Sequence, residues 1–239
     1  QLLEERRAMF GENHPMVLNA MTNAVASLTA AGMYSEALPL AERALALAES
    51  NTDVRSRNTG AELTNLSQLL FFSGRYVEAE ALATQAVAAL EARYDSKSHL
   101  NISEPLRIMG DSLRALDRVS AAITAHQRAL SIVEKAVEPT HSDVADILVS
   151  LGLDYLDNRQ RNEAIRHLER ALDIARTSKR RLCLARANFA LAKALGEKAH
   201  DVPRGIALAN EARSIFQERQ MPRQLQETDA LLAQLHRTF

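Results

Sequence analysis

Small residues recur at two fixed points along this chain, five times over. The first point holds alanine or glycine, with successive separations of 42, 43, 42 and 41 residues, at Ala37, Ala79, Ala122, Ala164 and Gly205. The second point lies seven residues further on and holds alanine each time, at Ala44, Ala86, Ala129, Ala171 and Ala212. Self-similarity at a period of about 20–50 residues is typical of stacked structural repeats. The chain is therefore expected to be an array of five copies of one short unit.

The unit is clearest between residues 62 and 90, ELTNLSQLLFFSGRYVEAEALATQAVAAL. Leu63, Leu66 and Leu70 follow the spacing of a helix with one buried stripe. Gly74 is expected to end that helix, because glycine tolerates the left-handed backbone that follows a helix end. The apolar pattern then resumes with Ala79, Ala83 and Ala86, whose small side chains let a neighbouring helix approach closely. The unit is predicted to be a tightly packed helical hairpin.

Several short motifs in these hairpins resemble a known repeat family. Residues 32–37 (GMYSEA) and 74–79 (GRYVEA) match a Gly-x-Tyr-x-Glu-Ala turn, and residues 64–67 (TNLS) match an Asn-Asn-Leu-Ala motif. Residues 11–15 (GENHP) and 138–143 (EPTHSD) resemble its inter-repeat linker. The family is the tetratricopeptide repeat family, in the longer repeat of about 42 residues found in kinesin light chains and in bacterial multidomain proteins. The resemblance covers nearly the whole chain.

Repeats three and four depart from this pattern at the turn. Asp117 and Arg159 stand where the family has glycine, and Val119 and Arg161 stand where it has tyrosine. Repeat five carries one extra residue between positions 196 and 201. These departures affect the expected register of the later repeats and leave the expected fold unchanged.

The resemblance implies an all-α fold, a right-handed α-solenoid of five tetratricopeptide-like helical hairpins with a C-terminal capping helix. One domain is expected over residues 1–239, starting with the end of a preceding repeat at 1–10. The repeats are placed at residues 15–50, 53–93, 103–137, 140–177 and 180–220, and the capping helix at 222–237. Because the chain starts inside what reads as the end of a helix, we expect it to be a fragment of a longer protein.

Charge, the length of apolar runs and cysteine content bear on the expected partners and on the expected cellular location. The chain has 29 Lys and Arg against 30 Asp and Glu, a net charge of −1, so no basic excess favours nucleic acid. No apolar run reaches the roughly 18 residues that span a bilayer, so no membrane interaction is expected. A single cysteine, Cys183, cannot form an internal disulfide, which favours a reducing and hence cytoplasmic location. We further expect a monomer.

No set of residues has the spacing of a catalytic or metal site. None of the seven histidines lies four residues from another, as in a zinc metalloprotease helix. Arginines flank Cys183, but no His or Asp is spaced to make it a nucleophile, so a structural thiol is expected. His14 and His141 occupy equivalent linker positions, where helix capping or packing is favoured over ligand binding. We therefore expect no enzyme activity, no metal and no cofactor.

The resemblance implies that the first helix of each hairpin lines a concave, peptide-binding face. The side chains expected there are Asn23, Thr64, Asn65, Gln68, Phe71, Arg107, Arg114, Arg186 and Lys193. Asn23 and Asn65 match the family position that holds a bound peptide backbone, and an amide can both donate to and accept from a peptide unit. The alternative is that these two amides bond neighbouring helices.

Phe71 is the expected apolar anchor of that face, unless it belongs to the core. The cations of repeats three and five predict positive potential, and hence acidic ligand residues there, unless Glu104 and Asp146 cancel it. Arg107 and Arg114 can also pair with Asp111 on their own helix.

The favoured function is a protein-interaction scaffold that binds a peptide or protein segment in its concave groove. The alternative is a regulatory or docking C-terminal region of a larger bacterial enzyme, such as a Ser/Thr protein kinase, or of a transcription regulator. A self-associating structural module is a third, weaker hypothesis.

Overall fold

The computed structural model describes residues 2–50, 52–178, 180–196 and 199–238. Within these ranges the chain forms twelve α-helices, two short 3₁₀ segments and no strand. The predicted all-α class is thereby confirmed. Residues 1 and 239, and part of the insertion predicted at 196–201, fall outside the described residues. The division into repeats at the predicted boundaries stays a prediction, and the helices group into two compact units, 1–132 and 133–239.

The first unit contains six complete helices and most of a seventh. Their bounds are α1 Leu2–Phe10, α2 Pro15–Ala30, α3 Tyr34–Ser50, α4 Thr52–Phe72, α5 Tyr76–Tyr94, α6 Ser103–Ala115 and α7 Val119–Ala136. A 3₁₀ segment, Leu100–Ile102, leads into α6. From α1 to α6 each helix packs against the next, and α2, α4 and α6 also contact one another in sequence. The first helices of successive hairpins, α2, α4 and α6, therefore pack side by side, as expected of stacked hairpins.

The second unit begins at the end of α7 and repeats this arrangement. Its bounds are α8 Ser142–Asp157, α9 Arg161–Thr177, α10 Arg181–Leu195, α11 Val202–Glu218 and α12 Pro222–Thr238, with a 3₁₀ segment at Ala199–Asp201. Each helix packs on the next and α8 also contacts α10. Leu231, Leu232 and Leu235 of α12 are buried, while Gln226, Glu227 and Asp229 are exposed. One apolar stripe thus packs against the unit and the opposite face is polar, as expected of a terminal cap.

The repeated small residues lie in the helix contacts. All ten positions of the two alanine and glycine series are buried, and the nine alanines among them have no exposed surface. Two first helices, α6 and α8, also carry a small residue at a helix contact. These residues are Gly110 and Gly152, where an added Cβ would lie 2.5 Å from His126 and from Leu168 respectively. The predicted need for small side chains at the hairpin contacts is confirmed.

The hairpin turns share one geometry whether or not they contain glycine. Gly32 and Gly74 have φ of 74° and 79°, and Asp117 and Arg159 adopt the same left-handed region with φ of 60° and 59°. In each turn the N–H that follows this residue donates to the carbonyl five residues before it, at 2.8–2.9 Å. This is the long hydrogen bond of a Schellman C-cap. The departures from the family pattern therefore leave the turn unchanged.

The two linker histidines cap helices. The Nδ1 atom of His14 accepts from the Met16 N–H at 3.2 Å, and that of His141 accepts from the Asp143 N–H at 3.3 Å. Both residues have the extended backbone of an N-cap. The predicted capping role is confirmed. In the part of the chain that is described, no helix is long and apolar enough to cross a membrane.

Candidate functional site

In the first unit, the first helices of successive hairpins are bonded directly to one another. The Thr22 hydroxyl of α2 donates to the Glu62 carboxylate of α4 at 2.7 Å. One step further, the Gln68 amide of α4 donates to the Glu104 carboxylate of α6 at 3.2 Å. These bonds join residues 40 and 36 positions apart, about one repeat. The sides of α2, α4 and α6 therefore form one continuous surface, which we call the first-helix face.

Glu62 is a buried carboxyl within this surface, with only 3% of the residue exposed. Burial is the main cause that raises its pKa above the ordinary value, and hydrogen bonds from Thr22 and Asn65 lower it in part. The charged form costs free energy because no cation is among the groups that act on it. Glu62 thus links α2 to α4 through neutral donors.

Asn23 and Asn65 differ in their surroundings although they hold the same repeat position. Asn65 is half-buried and its amide bonds Glu62, one turn earlier on α4. Asn23 is exposed, and the residue one turn before it is Ala20. Asn65 is thus bonded within its own helix, to a carboxylate that also accepts from Thr22 of α2. Thr64 is half-buried and its hydroxyl donates to the Gly60 carbonyl of its own helix at 2.7 Å.

Phe71 belongs to a group of four aromatic residues at the hairpin turns of the first unit. Its ring centre lies 5.7 Å from that of Phe72 and 5.6 Å from that of Tyr76. Phe72 in turn stacks on Tyr34 of α3 at 5.3 Å. Phe71 is half-buried and packs against a core cluster that includes Leu70. It therefore presents only part of its ring to solvent.

The two arginines predicted in repeat three are held by carboxylates of their own helix. Arg107 contacts Glu104 at 2.5 Å and Asp111 at 2.7 Å, and Arg114 lies 3.5 Å from Asp111. Asp111 is buried, and the fully buried His126 of α7 lies 3.6 Å from it and 3.1 Å from the Arg107 carbonyl. Pairs at i, i+3 and i, i+4 are the ones a helix brings together. The alternative of pairing within repeat three is the arrangement observed.

In the second unit, acids of α8 face bases of α10. Asp146 contacts Arg186 at 2.8 Å, and Asp157 lies 3.8 Å from Lys193. A further pair joins Asp143 to Arg180, the residue just before α10, at 3.2 Å. The sequence predicted positive potential here unless Glu104 and Asp146 cancel it. That condition is met, because both carboxylates contact the predicted arginines.

Cys183 is a buried thiol in α10. Burial raises its pKa to about 12, and Asp146 adds to the rise, while Arg186 and Arg180 oppose it. The thiolate that would act as a nucleophile is thus strongly disfavoured at neutral pH. A structural thiol is the interpretation that the structure supports. Among the described residues, no group of three or more His, Cys, Asp or Glu could hold a metal ion.

Sequence reasoning missed Glu62 and, apart from Asp146, the acids of α8 that pair with bases in or just before α10. A signal for Glu62 was present, because an acid three residues before Asn65 can bond it on a helix, and Thr22 lies about one repeat earlier. Asp143, Asp146 and Asp157 precede their partners by 36–40 residues. Only a fixed register between α8 and α10 identifies such pairs.

The chain resembles known proteins in part of its sequence and in its fold. A sequence model described as "Tetratricopeptide repeat" matches residues 101–177, which include α6 to α9. No curated protein matches the chain in sequence.

Several solved structures share the fold. BtubC (BKLC) from P. vanneervenii has a TM-score of 0.70 at 18% identity, over 92% of this chain and 88% of that one. A Podosopora anserina protein described as a putative kinesin light chain, with nearly identical TPR-like repeats, has 0.63 at 21% identity, over 87% and 99%. A thermophilic TPR protein of Thermus thermophilus has 0.65 at 17% identity, over 90% and 99%.

At such identities the likeness establishes the fold, while the sequence match within residues 101–177 establishes the repeat type. Together with the stacked hairpins and their buried small residues, these findings show tetratricopeptide repeat sequence within residues 101–177 and the fold of tetratricopeptide repeat proteins for the chain.

Proposed function

We propose that the chain is a scaffold that binds an extended peptide or protein segment, and that the first-helix face of the first unit is its binding surface. Tetratricopeptide repeat proteins generally act as protein-interaction scaffolds. A preformed surface lowers the entropic cost of capturing an extended ligand. The observation that carries the proposal is the bonding of α2 to α4 and of α4 to α6, because it aligns three helices into one surface.

The polar groups of this face suit a peptide backbone. Asn23 is exposed and Asn65 and Gln68 are half-buried, so their amides can offer donors and acceptors to a main chain. Glu62 orients the Asn65 amide, which reduces the freedom that binding would otherwise remove. Phe71 supplies a partly exposed aromatic edge, and aromatic residues often dominate the energy of an interface.

The predicted cations have a smaller part in this proposal. Arg107, Arg114, Arg186 and Lys193 are each within 4.0 Å of a carboxylate. A ligand acid would have to compete with that carboxylate, so we expect little dependence of affinity on salt. Recognition by main-chain bonds and one apolar side chain is the mode that the face supports best.

Selection from a random peptide display library with the whole chain as bait tests the proposal. A selected peptide should bind with its affinity reduced at least fivefold by the pair Asn23→Ala and Asn65→Ala, equal to about 1 kcal/mol. Asn210→Ala, at an exposed amide of α11, is the matched control and should leave affinity unchanged. Equal loss in the control, or no effect of the pair on any selected peptide, would refute the proposed surface.

A further inference from the structure

Three histidines start the first helices of hairpins in the same way. His14 precedes α2, His99 precedes the 3₁₀ segment that leads into α6, and His141 precedes α8. In each, Nδ1 accepts from the N–H two residues further on, at 3.2, 3.2 and 3.3 Å. Each has an extended backbone, as an N-cap does. A ring that accepts at Nδ1 must be neutral and must carry its proton on Nε2.

Protonation removes this bond. Both nitrogens of an imidazolium are donors, so Nδ1 can no longer accept, and the new charge lies at the positive end of a helix. Histidine is the side chain whose charge commonly changes between pH 5 and 8. We propose that the histidine caps make the joints before α2 and before α6 acid-sensitive, so that mild acid uncaps both and loosens the hairpins they start.

The surroundings of His14 offer little to stabilise a cation. Its ring stacks on Phe10 at 4.8 Å, and the Arg6 guanidinium lies 5.8 Å from the centre of the Phe10 ring. Glu12 is the nearest acid along the chain, two residues before the cap. That carboxylate is already held by two arginines, Arg43 at 2.6 Å and Arg7 at 3.5 Å. A protonated His14 ring would therefore have to compete with two arginines for this carboxylate.

His99 lies in a similar setting. Its ring stacks on Tyr94 at 3.5 Å, and the Arg93 guanidinium lies 4.9 Å from the centre of the Tyr94 ring. Arg128 of α7 pairs with Glu91 and donates to the Lys97 carbonyl at 2.8 Å. The linker itself contributes Asp95 and Lys97. Tyr94 can attract a cationic ring, but Arg93 already lies over it, and the cations here outnumber the acids three to two.

His141 differs in one respect that makes it an internal comparison. Its Nδ1 lies 3.6 Å from the Asp143 carboxylate, which can form an ion pair with this ring when the ring is charged. Arg180 shares that carboxylate at 3.2 Å, and Glu138 is a further acid of the linker. The free energy gained from an ion pair between charged His141 and Asp143 offsets the loss of the capping hydrogen bond. His141 should therefore be the least acid-sensitive of the three caps.

The test compares thermal unfolding of the whole chain at pH 8 and pH 5. Asparagine is as good an N-cap and does not titrate, so His14→Asn with His99→Asn should unfold within about 2 °C of the parent at pH 8. Between pH 8 and pH 5 the parent should lose about 4–8 °C more than this variant. The pH dependence of the unfolding temperature should be reduced less by His141→Asn than by His14→Asn alone or by His99→Asn alone. The control His236→Asn, near the exposed end of α12, should leave this pH dependence unchanged.

An equal loss in the parent and the double variant would overturn the proposal. Nitrogen NMR of the unmodified chain decides the matter even if the variant does not fold. At pH 8 the rings of His14 and His99 should carry their proton on Nε2, and at pH 5 the capped amides of Met16 and Asn101 should shift as the rings protonate. A proton on Nδ1 at pH 8, or no amide shift, would refute it.

Discussion

Gly110 should be required by the ring of His126. A Cβ added at Gly110 would lie 2.5 Å from His126 Nε2 and 2.7 Å from Cδ2 and Cε1 of the same ring. That ring is fully buried, and its Nε2 lies 3.1 Å from the Arg107 carbonyl. It therefore cannot move aside without losing this contact. Gly110→Ala changes only one methyl group, so its effect reports on the packing between α6 and α7.

The expected magnitude is a balance of three contributions. Overpacking costs about 1–3 kcal/mol and loss of the His126 hydrogen bond about 1 kcal/mol. Alanine in a helix interior returns about 0.5–1 kcal/mol relative to glycine. The net loss in free energy of unfolding should be about 1–3 kcal/mol, or a few degrees in Tm. In a His126→Ala background the obstacle is absent, and Gly110→Ala should instead stabilise by about 0.5–1 kcal/mol.

The four proteins to compare are the parent, Gly110→Ala, His126→Ala and the double variant. Their urea unfolding, followed by circular dichroism at 222 nm, measures the coupling free energy between the two positions. We expect about 2–3 kcal/mol. Gly74→Ala is the control: no atom lies within 4 Å of its added Cβ, but its φ is +79°. Its cost of about 1–2 kcal/mol should be the same in both backgrounds. If Gly110→Ala costs equally with and without His126, the ring is not what excludes a side chain there.

The remaining predictions concern stability and reactivity. Glu62→Gln should stabilise the chain at neutral pH, because a carboxyl whose folded pKa is raised loses stability as pH rises through that pKa. The difference should shrink towards acid pH in urea unfolding, and an advantage that grows on acidification would contradict it. Ala79→Leu should cost about 1–3 kcal/mol of unfolding free energy, since Ala79 has no exposed surface. A parental Tm would refute that packing. Arg159→Gly should raise Tm slightly, because it relieves a left-handed backbone of φ 59°. Cys183 should react with a thiol reagent at pH 8 only as fast as the chain opens, because burial raises its pKa to about 12. Rapid labelling of the folded chain would contradict this.

The helical class and the contact positions could be predicted because they depend on local spacing. Ala79 and Ala86 lie seven residues apart, two turns of a helix, and recur wherever a partner helix must approach. His14 and His141 could be interpreted as caps because their linkers share a position. Pairing between Arg107 and Asp111 followed from the i, i+4 rule alone. All of these are properties of one helix or one repeat.

Turn geometry in the later repeats depended on the tertiary structure. Asp117 and Arg159 adopt a left-handed backbone. Aspartate is enriched in this region but still uncommon there, and arginine is not enriched, so residue type alone does not predict it. The conformation is imposed because the helices on either side must pack as a hairpin. The free-energy cost of the left-handed backbone is small compared with the free energy gained by burying the faces of the two helices.

Which of the candidate site residues are paired with an acid or buried was likewise decided by the register between helices. Sequence places Arg186 and Lys193 on one side of α10 and names Asp146 as an acid that could cancel their charge, but it does not place Asp146 and Asp157 opposite them. Glu62 is buried because α2 and α4 meet there, and the same packing brings Thr22 to it at 2.7 Å. The sequence by itself determined which residues share a helix side. Only the tertiary structure decided which of them are neutralised, because charges about one repeat apart meet only when the helices are aligned.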